Sequence, residues 1–321
     1  MESLLTDFFI EAHPTPPKRI ILDFDATDDP VHGDQLGRFF QGYYKEYCYL
    51  PLYVFCGEHL LCAQLRPADQ DGAAGSIEKL AGLVERIRRR WPDVQIIVRG
   101  DSGFCRENLM RWCEDHGVDY ILGLAKNSRL RWEIDLELEL AKAESEATGE
   151  PARRFKDFTY RTRESWSCER RVVGKAEHLA KGPNSRFVVT SLSKEEYDGR
   201  SLYEDLYCAR GEMENRIKEQ QLMLFADRTS ADDMRANQIR LYFSSIAYVL
   251  LSAMRRIGLA DTSFERAQCS TIRLNLLKIG ALVRITVRKI WISFSQSYPY
   301  REQFLKVLAN IRGAPPVVLR C

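Results

Sequence analysis

The sequence lacks the marks of a membrane, secreted or zinc-finger protein. Its longest apolar run, residues 241–254, is too short to cross a bilayer and contains serines, so it predicts a buried helix. The first residues carry early acids and no basic region, which argues against a secretory signal. The nine cysteines include no C-x-x-C pair, so neither a paired zinc-ligand pattern nor a disulfide framework is indicated. We therefore expect a cytoplasmic protein with reduced thiols and no membrane partner.

The chain also has little net charge and no repeat or low-complexity tract. A formal charge of +2 over 321 residues gives no overall argument for a nucleic-acid partner. The charge is unevenly distributed, however, because residues 255–321 hold twelve Lys or Arg against three Asp or Glu. A basic segment of this kind is consistent with a polyanionic partner, and a solvated basic face fits the same charges.

The order of apolar patterns predicts an α/β fold. A first strand ends near Asp25, and two more strands meet at Gly57-Glu58. A helix beginning at Ser76, a strand ending at Gly100, a short helix and a further buried strand follow. An acidic helical stretch and antiparallel strands then come before a return to helices from residue 203. Near the end we expect a helix over 271–285, a strand-like run over 288–295 and a last helix over 300–312.

Carboxylates stand at the ends of these predicted elements. Asp23 and Asp25 are two residues apart on a strand, so their side chains lie on one face. Asp101 follows the strand that ends at Gly100, and Glu214 lies on a later helix. Oxygen ligands that converge from rigid elements far apart in sequence suit a hard divalent cation. Each residue taken singly fits a structural role as well, so the hypothesis depends on their joint arrangement.

The stretch LDFDAT also allows a second interpretation. The D-x-D-x-T pattern after an apolar strand is typical of haloacid-dehalogenase-like phosphatases, with Asp23 as covalent nucleophile and Asp25 as acid/base. Residues 187–191 could supply the strand that ends in Thr or Ser. The acidic motif at 100–103 comes too early in the chain for that family, and the pattern around 207–214 is left unexplained.

Four stretches of the sequence together resemble a known family. YCARGEMEN is similar to the Y-x2-R-x3-E signature of bacterial insertion-sequence transposases, with Tyr207, Arg210 and Glu214 at the matching positions. DFDATDDPVHG, VRGDSGFC and the segment at 276–295 resemble the DDE group 1, or insertion-sequence thirteen-eighty, transposases. The resemblance extends over essentially the whole chain from Arg19 to Arg312.

The resemblance implies a ribonuclease-H-like mixed sheet flanked by helices, with an inserted antiparallel β segment between the second Asp and the Glu. It implies that Asp25, Asp101 and Glu214 hold two Mg²⁺ ions, which Mn²⁺ could replace, and catalyse DNA strand cleavage and strand transfer. Tyr207 and Arg210 would contact DNA phosphates, and two copies would act together on two element ends. The expected segments are an N-terminal remnant (1–18), a first core part (19–125), the insertion (126–202), the second core part with the Glu helix (203–258) and a basic C-terminal segment (259–321).

Two departures from the family pattern qualify this expectation. The signature lysine seven residues after Glu214 is Gln221 here, and Lys218, one turn after Glu214, is the alternative DNA-binding lysine. Only about twenty residues precede the first strand, fewer than a small folded domain needs, so we expect a truncated copy. An inactive DNA-binding or dimerising remnant therefore stays open as a third interpretation. Trp166 would either stack on an extruded base or pack in a small β core.

Overall fold

The chain folds into two compact units. A computed structural model describes residues 2–314, and it divides them into residues up to Glu214 and residues from Asn215 onward. All the carboxylates singled out above belong to the first unit. The division into five segments predicted from the sequence stays a prediction.

The first unit is built on one mixed sheet of eight strands, which confirms the predicted α/β class. The order across the sheet is β6-β5-β1-β7-β8-β11-β10-β9. β1, β7 and β8 are parallel to one another, and the remaining neighbours pair antiparallel. This order is consistent with a ribonuclease-H-like core. The strands of this sheet are β1 (Arg19–Ala26), β5 (Leu52–Cys56), β6 (His59–Gln64), β7 (Gln95–Gly100), β8 (Asp119–Leu124), β9 (Ala152–Tyr160), β10 (Arg170–Leu179) and β11 (Gly182–Thr190).

Both faces of this sheet are covered, which explains the near-continuous apolar strands. Ile96 and Val98 of β7 face one core, whereas Ile97 between them faces a second core on the opposite side. The second core includes Leu202 and Leu206 of the helical run before Glu214. The helices of the first unit are α1 (Glu2–Glu11), α2 (Ser76–Arg90), α3 (Glu107–Asp115), α4 (Ser128–Glu133), α5 (Asp135–Thr148), α6 (Gly199–Ser201) and the start of α7 (Gly211–Lys218).

The β segment predicted between Asp101 and Glu214 lies in the main sheet. β9, β10 and β11 form an antiparallel group, as predicted, and β11 pairs with β8 through Phe187–Thr190. These strands therefore lengthen the sheet that carries Asp25 and Asp101.

A second, small sheet replaces part of a strand predicted from the sequence. The apolar run from Gly42 to Cys56 reads as one strand, but it divides at Leu50-Pro51, because proline has no N–H to donate to a ladder. The part before Pro51 joins a three-stranded sheet made of β2 (Asp29–Pro30), β3 (Phe39–Gln41) and β4 (Glu46–Tyr49). The part after it is β5, which meets β6 at Gly57-Glu58 as predicted. The chain over residues 29–49, called the ribbon below, thus lies directly after β1.

The second unit is mostly helical and contains one correction to the sequence prediction. The helix expected over 271–285 ends at Leu277, and residues Ala281–Ile285 form β12 instead. β12 pairs with β13 (Ile290–Phe294), because Gly280 interrupts the helix and the alternating residues after it find a hairpin partner. The helices are α8 (Met234–Ile257), α9 (Cys269–Ile272) and α10 (Arg301–Gly313), with further helical turns at 219–223 and 273–277. Within residues 2–314, no helix is both long and apolar enough to span a bilayer.

Candidate active site

The site is formed where two parallel strands end and a helical run passes above them. Asp25 is the penultimate residue of β1, and Asp101 directly follows the last residue of β7. Because β1 and β7 are parallel neighbours, their carboxyl ends meet at one edge of the sheet. The helical run Gly199–Glu214 packs on one face of the sheet and brings Tyr207, Arg210 and Glu214 toward that edge.

Arg210 lies between two of the three carboxylates. Its Nη2 donates to Oδ1 of Asp25 at 2.8 Å, and its Nη1 donates to Oε1 of Glu214 at 2.7 Å. Arg210 and Asp25 are both 14% exposed at their side chains, while Glu214 is 47% exposed. The Nε of Arg210 is buried and has no hydrogen-bond partner among the described residues. The sequence predicted that Arg210 contacts DNA phosphates. In this structure its guanidinium donates hydrogen bonds to two carboxylates of the site.

The electrostatics of the site are those of crowded acids. The pKa of Asp25 is raised to about 6, chiefly by burial; the Asp101 and Glu214 carboxylates add to the rise and Arg210 opposes it. Asp101 accepts a hydrogen bond at Oδ1 from the Gly103 N–H at 2.8 Å. Among the described residues of the site, the Arg210 guanidinium contacts the Asp25 and Glu214 carboxylates and attracts Asp101 through space. Three carboxylates thus face one arginine, so a bound cation would balance the remaining negative charge.

Close packing around Gly123 joins Tyr207 to the end of β7. A methyl group on Gly123 of β8 would lie 2.5 Å from the Tyr207 Oη and 2.9 Å from the Ser102 backbone nitrogen. Only glycine therefore allows the phenol and the loop after β7 to approach β8 this closely. Burial raises the pKa of Tyr207, and the Asp101 carboxylate adds to that rise. Tyr207 is half-buried beside Asp101, and its expected contact with DNA phosphates stays a prediction.

Asp23 does not share the site of Asp25, although both lie on one side of β1. Both carboxylate oxygens of Asp23 accept from Arg99 of β7, with Nη2 to Oδ2 at 2.8 Å, and both side chains are buried. Arg99 also donates from Nη1 to the Leu206 carbonyl oxygen. Asp23 is therefore part of a buried ion pair with Arg99, and the bond from Arg99 to Leu206 links this pair to the helical run. Since both of its oxygens are held by Arg99 and its side chain is buried, Asp23 is not presented as the accessible nucleophile that the phosphatase interpretation requires.

The helical run before Glu214 is irregular. Residues Leu202–Tyr207 form a π-helical segment, Cys208–Arg210 form a 3₁₀ turn, and α7 begins at Gly211. Irregular turns of this kind are frequent at functional sites because they change the direction of the side chains that follow. Leu202, Tyr203 and Leu206 stay buried against the sheet. The π-helical segment thus carries the residues that pack on the sheet, and the 3₁₀ turn and α7 after it carry Arg210 and Glu214.

The residues of the site fit a hard divalent cation by their chemistry. Asp25, Asp101 and Glu214 offer only oxygen donors, and their mutual repulsion is what a cation would relieve. Within residues 2–314, however, no group of three or more His, Cys, Asp or Glu side chains is arranged to hold a metal ion. Arg210 donates to the Asp25 and Glu214 oxygens that a shared cation would use. Binding a cation at all three carboxylates therefore requires that this guanidinium move.

Lys218 and Trp166 have simpler surroundings than the site residues. Lys218 is the exposed last residue of α7, one turn after Glu214. Trp166 is 4% exposed, with its ring 5.8 Å from that of Tyr160 and the Arg170 guanidinium 5.5 Å above it. Packing is thus the structural role of Trp166, and stacking on an extruded base is not available to a side chain buried this deeply.

Sequence reasoning missed Arg99, Gly123 and Tyr44. Arg99 is a cation inside the otherwise apolar run QIIVRG, and Asp23 is the buried aspartate of LDFD. Because a buried charge needs a partner of opposite sign, the sequence could have predicted this ion pair. Gly123 lies inside the strand YILGL, and a glycine in a strand often indicates that another backbone approaches closely. Tyr44 donates from Oη to the Ala26 carbonyl oxygen at 3.2 Å, a contact across eighteen residues that no local pattern indicates.

Comparison with known families agrees with this geometry. The family model described as transposase DDE domain group 1 matches residues 1–316. No curated protein matches the chain. Since the family model covers nearly the whole sequence, including both strand ends and the helical run described above, this chain belongs to the transposase DDE domain group 1 family.

Proposed function

We propose that this protein is a metal-dependent DNA transposase that cleaves a DNA strand at the end of an insertion sequence and joins the freed end to a target. The observation that carries the proposal is the meeting of Asp25, Asp101 and Glu214 around one guanidinium at the carboxyl edge of a mixed sheet. Membership of the transposase family gives this acidic cluster its expected substrate, a DNA phosphodiester.

The three carboxylates would hold two Mg²⁺ ions, with Mn²⁺ as a substitute. When bound, such ions activate water and stabilise the leaving oxygen in phosphodiester cleavage. Asp25 and Asp101 are placed by the ends of β1 and β7, whereas Glu214 is half-exposed on a helix and is the member best able to adjust. Asp25 must be ionised to act as a ligand, and its pKa of about 6 allows this at neutral pH.

Tyr207 and Arg210 would bind the DNA backbone beside the carboxylates. A guanidinium released from Asp25 and Glu214 offers a planar set of donors, which suits a phosphate. The buried Nε of Arg210, which has no partner among the described residues, is a further donor for a phosphate oxygen. The Tyr207 phenol, held against Gly123, would present a neutral donor. Lys218 is the lysine that we propose for the remaining phosphate contact, and a homodimer would allow two element ends to be processed together.

Calorimetric titration with Mn²⁺ is the direct test, on the wild-type chain and on Glu214→Ala. We expect the substitution to remove one metal site or to weaken binding about tenfold or more, since an anionic ligand is lost. Glu146→Ala is the matched control, because Glu146 is an exposed glutamate on α5. Unchanged Mn²⁺ binding in Glu214→Ala, combined with its loss in Asp25→Asn, would mean that the metal site excludes Glu214 and that the proposal is wrong.

A DNA assay separates an active transposase from a binding remnant. The wild-type chain should nick labelled duplex DNA in Mn²⁺, and Asp101→Asn should abolish nicking while leaving DNA affinity within about threefold, because that affinity comes from phosphate contacts. DNA binding without any metal-dependent nicking would identify an inactive remnant.

A further inference from the structure

The ribbon presents aromatic side chains to solvent. Tyr43 at its tip is 85% exposed, Phe40 of β3 is 57% exposed and Tyr47 of β4 is 50% exposed. Phe40 and Tyr47 are cross-strand partners, and their rings lie 5.6 Å apart at a steep angle. A single exposed aromatic residue is ordinary, but three on one small ribbon form an apolar surface that implies a binding partner.

The ribbon holds these rings in place from its inner side. Cys48 and Leu50 are buried in a small core of their own, together with Ala68. Gln41 donates from Nε2 to the Ala68 carbonyl oxygen at 3.2 Å, and Tyr49 donates from Oη to the Leu36 carbonyl oxygen at 2.8 Å. The aromatic face is therefore the outward side of an anchored structure, so little ordering would be needed on binding.

The ribbon stands beside the carboxylates of the candidate active site. It begins three residues after Ala26, the last residue of β1 and the neighbour of Asp25. Tyr44, at the base of the tip, donates to the Ala26 carbonyl oxygen at 3.2 Å and touches the Tyr43 ring edge-on at 5.0 Å. Burial raises the pKa of Tyr44, and the Asp25 and Asp101 carboxylates are close enough to raise it further. A DNA strand held at these carboxylates therefore passes next to the ribbon.

The composition of the ribbon suits a single DNA strand. Arg38 forms an ion pair with Asp34 and lies 4.6 Å above the Tyr47 ring, whereas Lys45 at the tip is exposed. The outer face thus combines aromatic rings, on which bases can stack, with an exposed cation near the tip, as in proteins that bind single strands.

We propose that Phe40 and Tyr43 stack on unpaired bases of the DNA strand whose phosphodiester lies at Asp25 and Asp101, with Tyr47 supporting the Phe40 ring from the neighbouring strand. This inference depends on the proposed transposase function and adds a surface for single-stranded DNA at the active site. The ribbon would stabilise a strand that is opened or frayed at the cleavage point, because base stacking on aromatic side chains compensates for lost base pairing.

The test uses fluorescence anisotropy on the full chain in metal-free buffer, with two DNA probes that differ only in strandedness. One probe is a blunt duplex, and the other is the same duplex with a single-stranded overhang. We expect Phe40→Ala and Tyr43→Ala each to weaken binding of the overhang probe about tenfold, and to change binding of the blunt probe much less. The dependence of affinity on salt should keep its slope, because no phosphate contact is lost. Tyr43→Trp, which keeps an aromatic ring at this position, should bind the overhang probe about as well as the wild type does.

Trp132→Ala is the matched control, since Trp132 is an aromatic residue 75% exposed on α4 of the same unit. The inference fails if the ribbon variants bind the overhang probe like the wild type, or if Trp132→Ala weakens it equally. It also fails if the ribbon variants lose self-association in sedimentation experiments and keep their DNA affinity, since a second copy would then cover this face. These outcomes leave the Mn²⁺ and nicking tests unaffected, so failure of the ribbon and failure of the transposase function are distinguishable.

Discussion

Arg210 is the residue whose role depends most on what surrounds it. Its sequence neighbours suggest a DNA contact, and its spatial neighbours are Asp25 and Glu214. An internal guanidinium is a means by which buried carboxylates avoid an uncompensated charge. We expect a divalent cation and this guanidinium to compete for the same carboxylate oxygens.

Arg210→Ala should therefore tighten Mn²⁺ binding. Each charge-assisted hydrogen bond that the cation no longer has to displace is worth about 1.5–3 kcal/mol, so we expect an affinity gain of about tenfold or more. Calorimetry at about pH 8 keeps the carboxylates ionised during the comparison. DNA affinity should fall in the same variant, because the proposed phosphate contact is removed.

The control for this variant is Arg186→Ala. Arg186 is an exposed residue of β11 whose charge lowers the pKa of Tyr207, so it acts on the same site through space. It has no ion pair with a carboxylate among the described residues. Equal tightening in both variants would show a general field effect, and weaker Mn²⁺ binding in Arg210→Ala would contradict the competition outright.

At the scale of elements, β8 and the helical run fit together only because Gly123 has no side chain. Its neighbours are the Tyr207 phenol and the backbone at Asp101 and Ser102. Arg99 reinforces this junction from the next strand, through Asp23 on one side and Leu206 on the other. The position of the site residues is thus set by contacts among β1, β7, β8 and the run that ends at Glu214.

Gly123→Ala should weaken Mn²⁺ binding more than it weakens the fold. The added methyl group meets backbone atoms as well as the Tyr207 hydroxyl, so the loop after β7 must move. We expect a loss of about 1–3 kcal/mol in the free energy of unfolding, as for an overpacked core position, together with a clear fall in Mn²⁺ affinity. Urea denaturation and calorimetry on the same preparation measure the two effects.

Gly82→Ala gives the comparison that this experiment needs. Gly82 lies inside α2, and a methyl group there would have no heavy atom within 4 Å. The substitution should raise the free energy of unfolding by up to about 1 kcal/mol, because alanine is the better helix former, and leave Mn²⁺ binding as it is. If Gly123→Ala behaved in the same way, the close approach at β8 would have no role in shaping the site.

At the scale of the whole molecule, the burial of an acid makes folding depend on pH. The pKa of Asp25 rises from 3.8 to about 6 on folding, so between these values the folded chain binds more protons than the unfolded chain. Stability from this group is therefore present below about pH 4 and is lost as the pH rises through about 6. Two pKa units correspond to about 3 kcal/mol at most.

Asp25→Asn should remove that dependence in metal-free protein. We expect the two chains to be similarly stable near pH 4 and the variant to be more stable by about 2–3 kcal/mol near pH 7. Urea unfolding followed by tryptophan fluorescence is suitable, because four of the five tryptophans precede Glu214 in the chain. Asp69→Asn, at an exposed residue, is the control, and parallel curves for wild type and Asp25→Asn would contradict the prediction.

The amino-acid sequence by itself determined the order of strands and helices around the site, the acids at the strand ends and the family. These follow from local patterns, since side-chain periodicity and turn residues act over a few positions, and the motif at Tyr207, Arg210 and Glu214 is contiguous. Only the tertiary structure decided that Asp23 pairs with Arg99, that the inserted strands continue the main sheet, that Arg210 faces carboxylates and that the ribbon stands beside Asp25. Those outcomes depend on contacts between residues up to 185 positions apart, where packing and burial choose among partners that the sequence alone leaves equivalent.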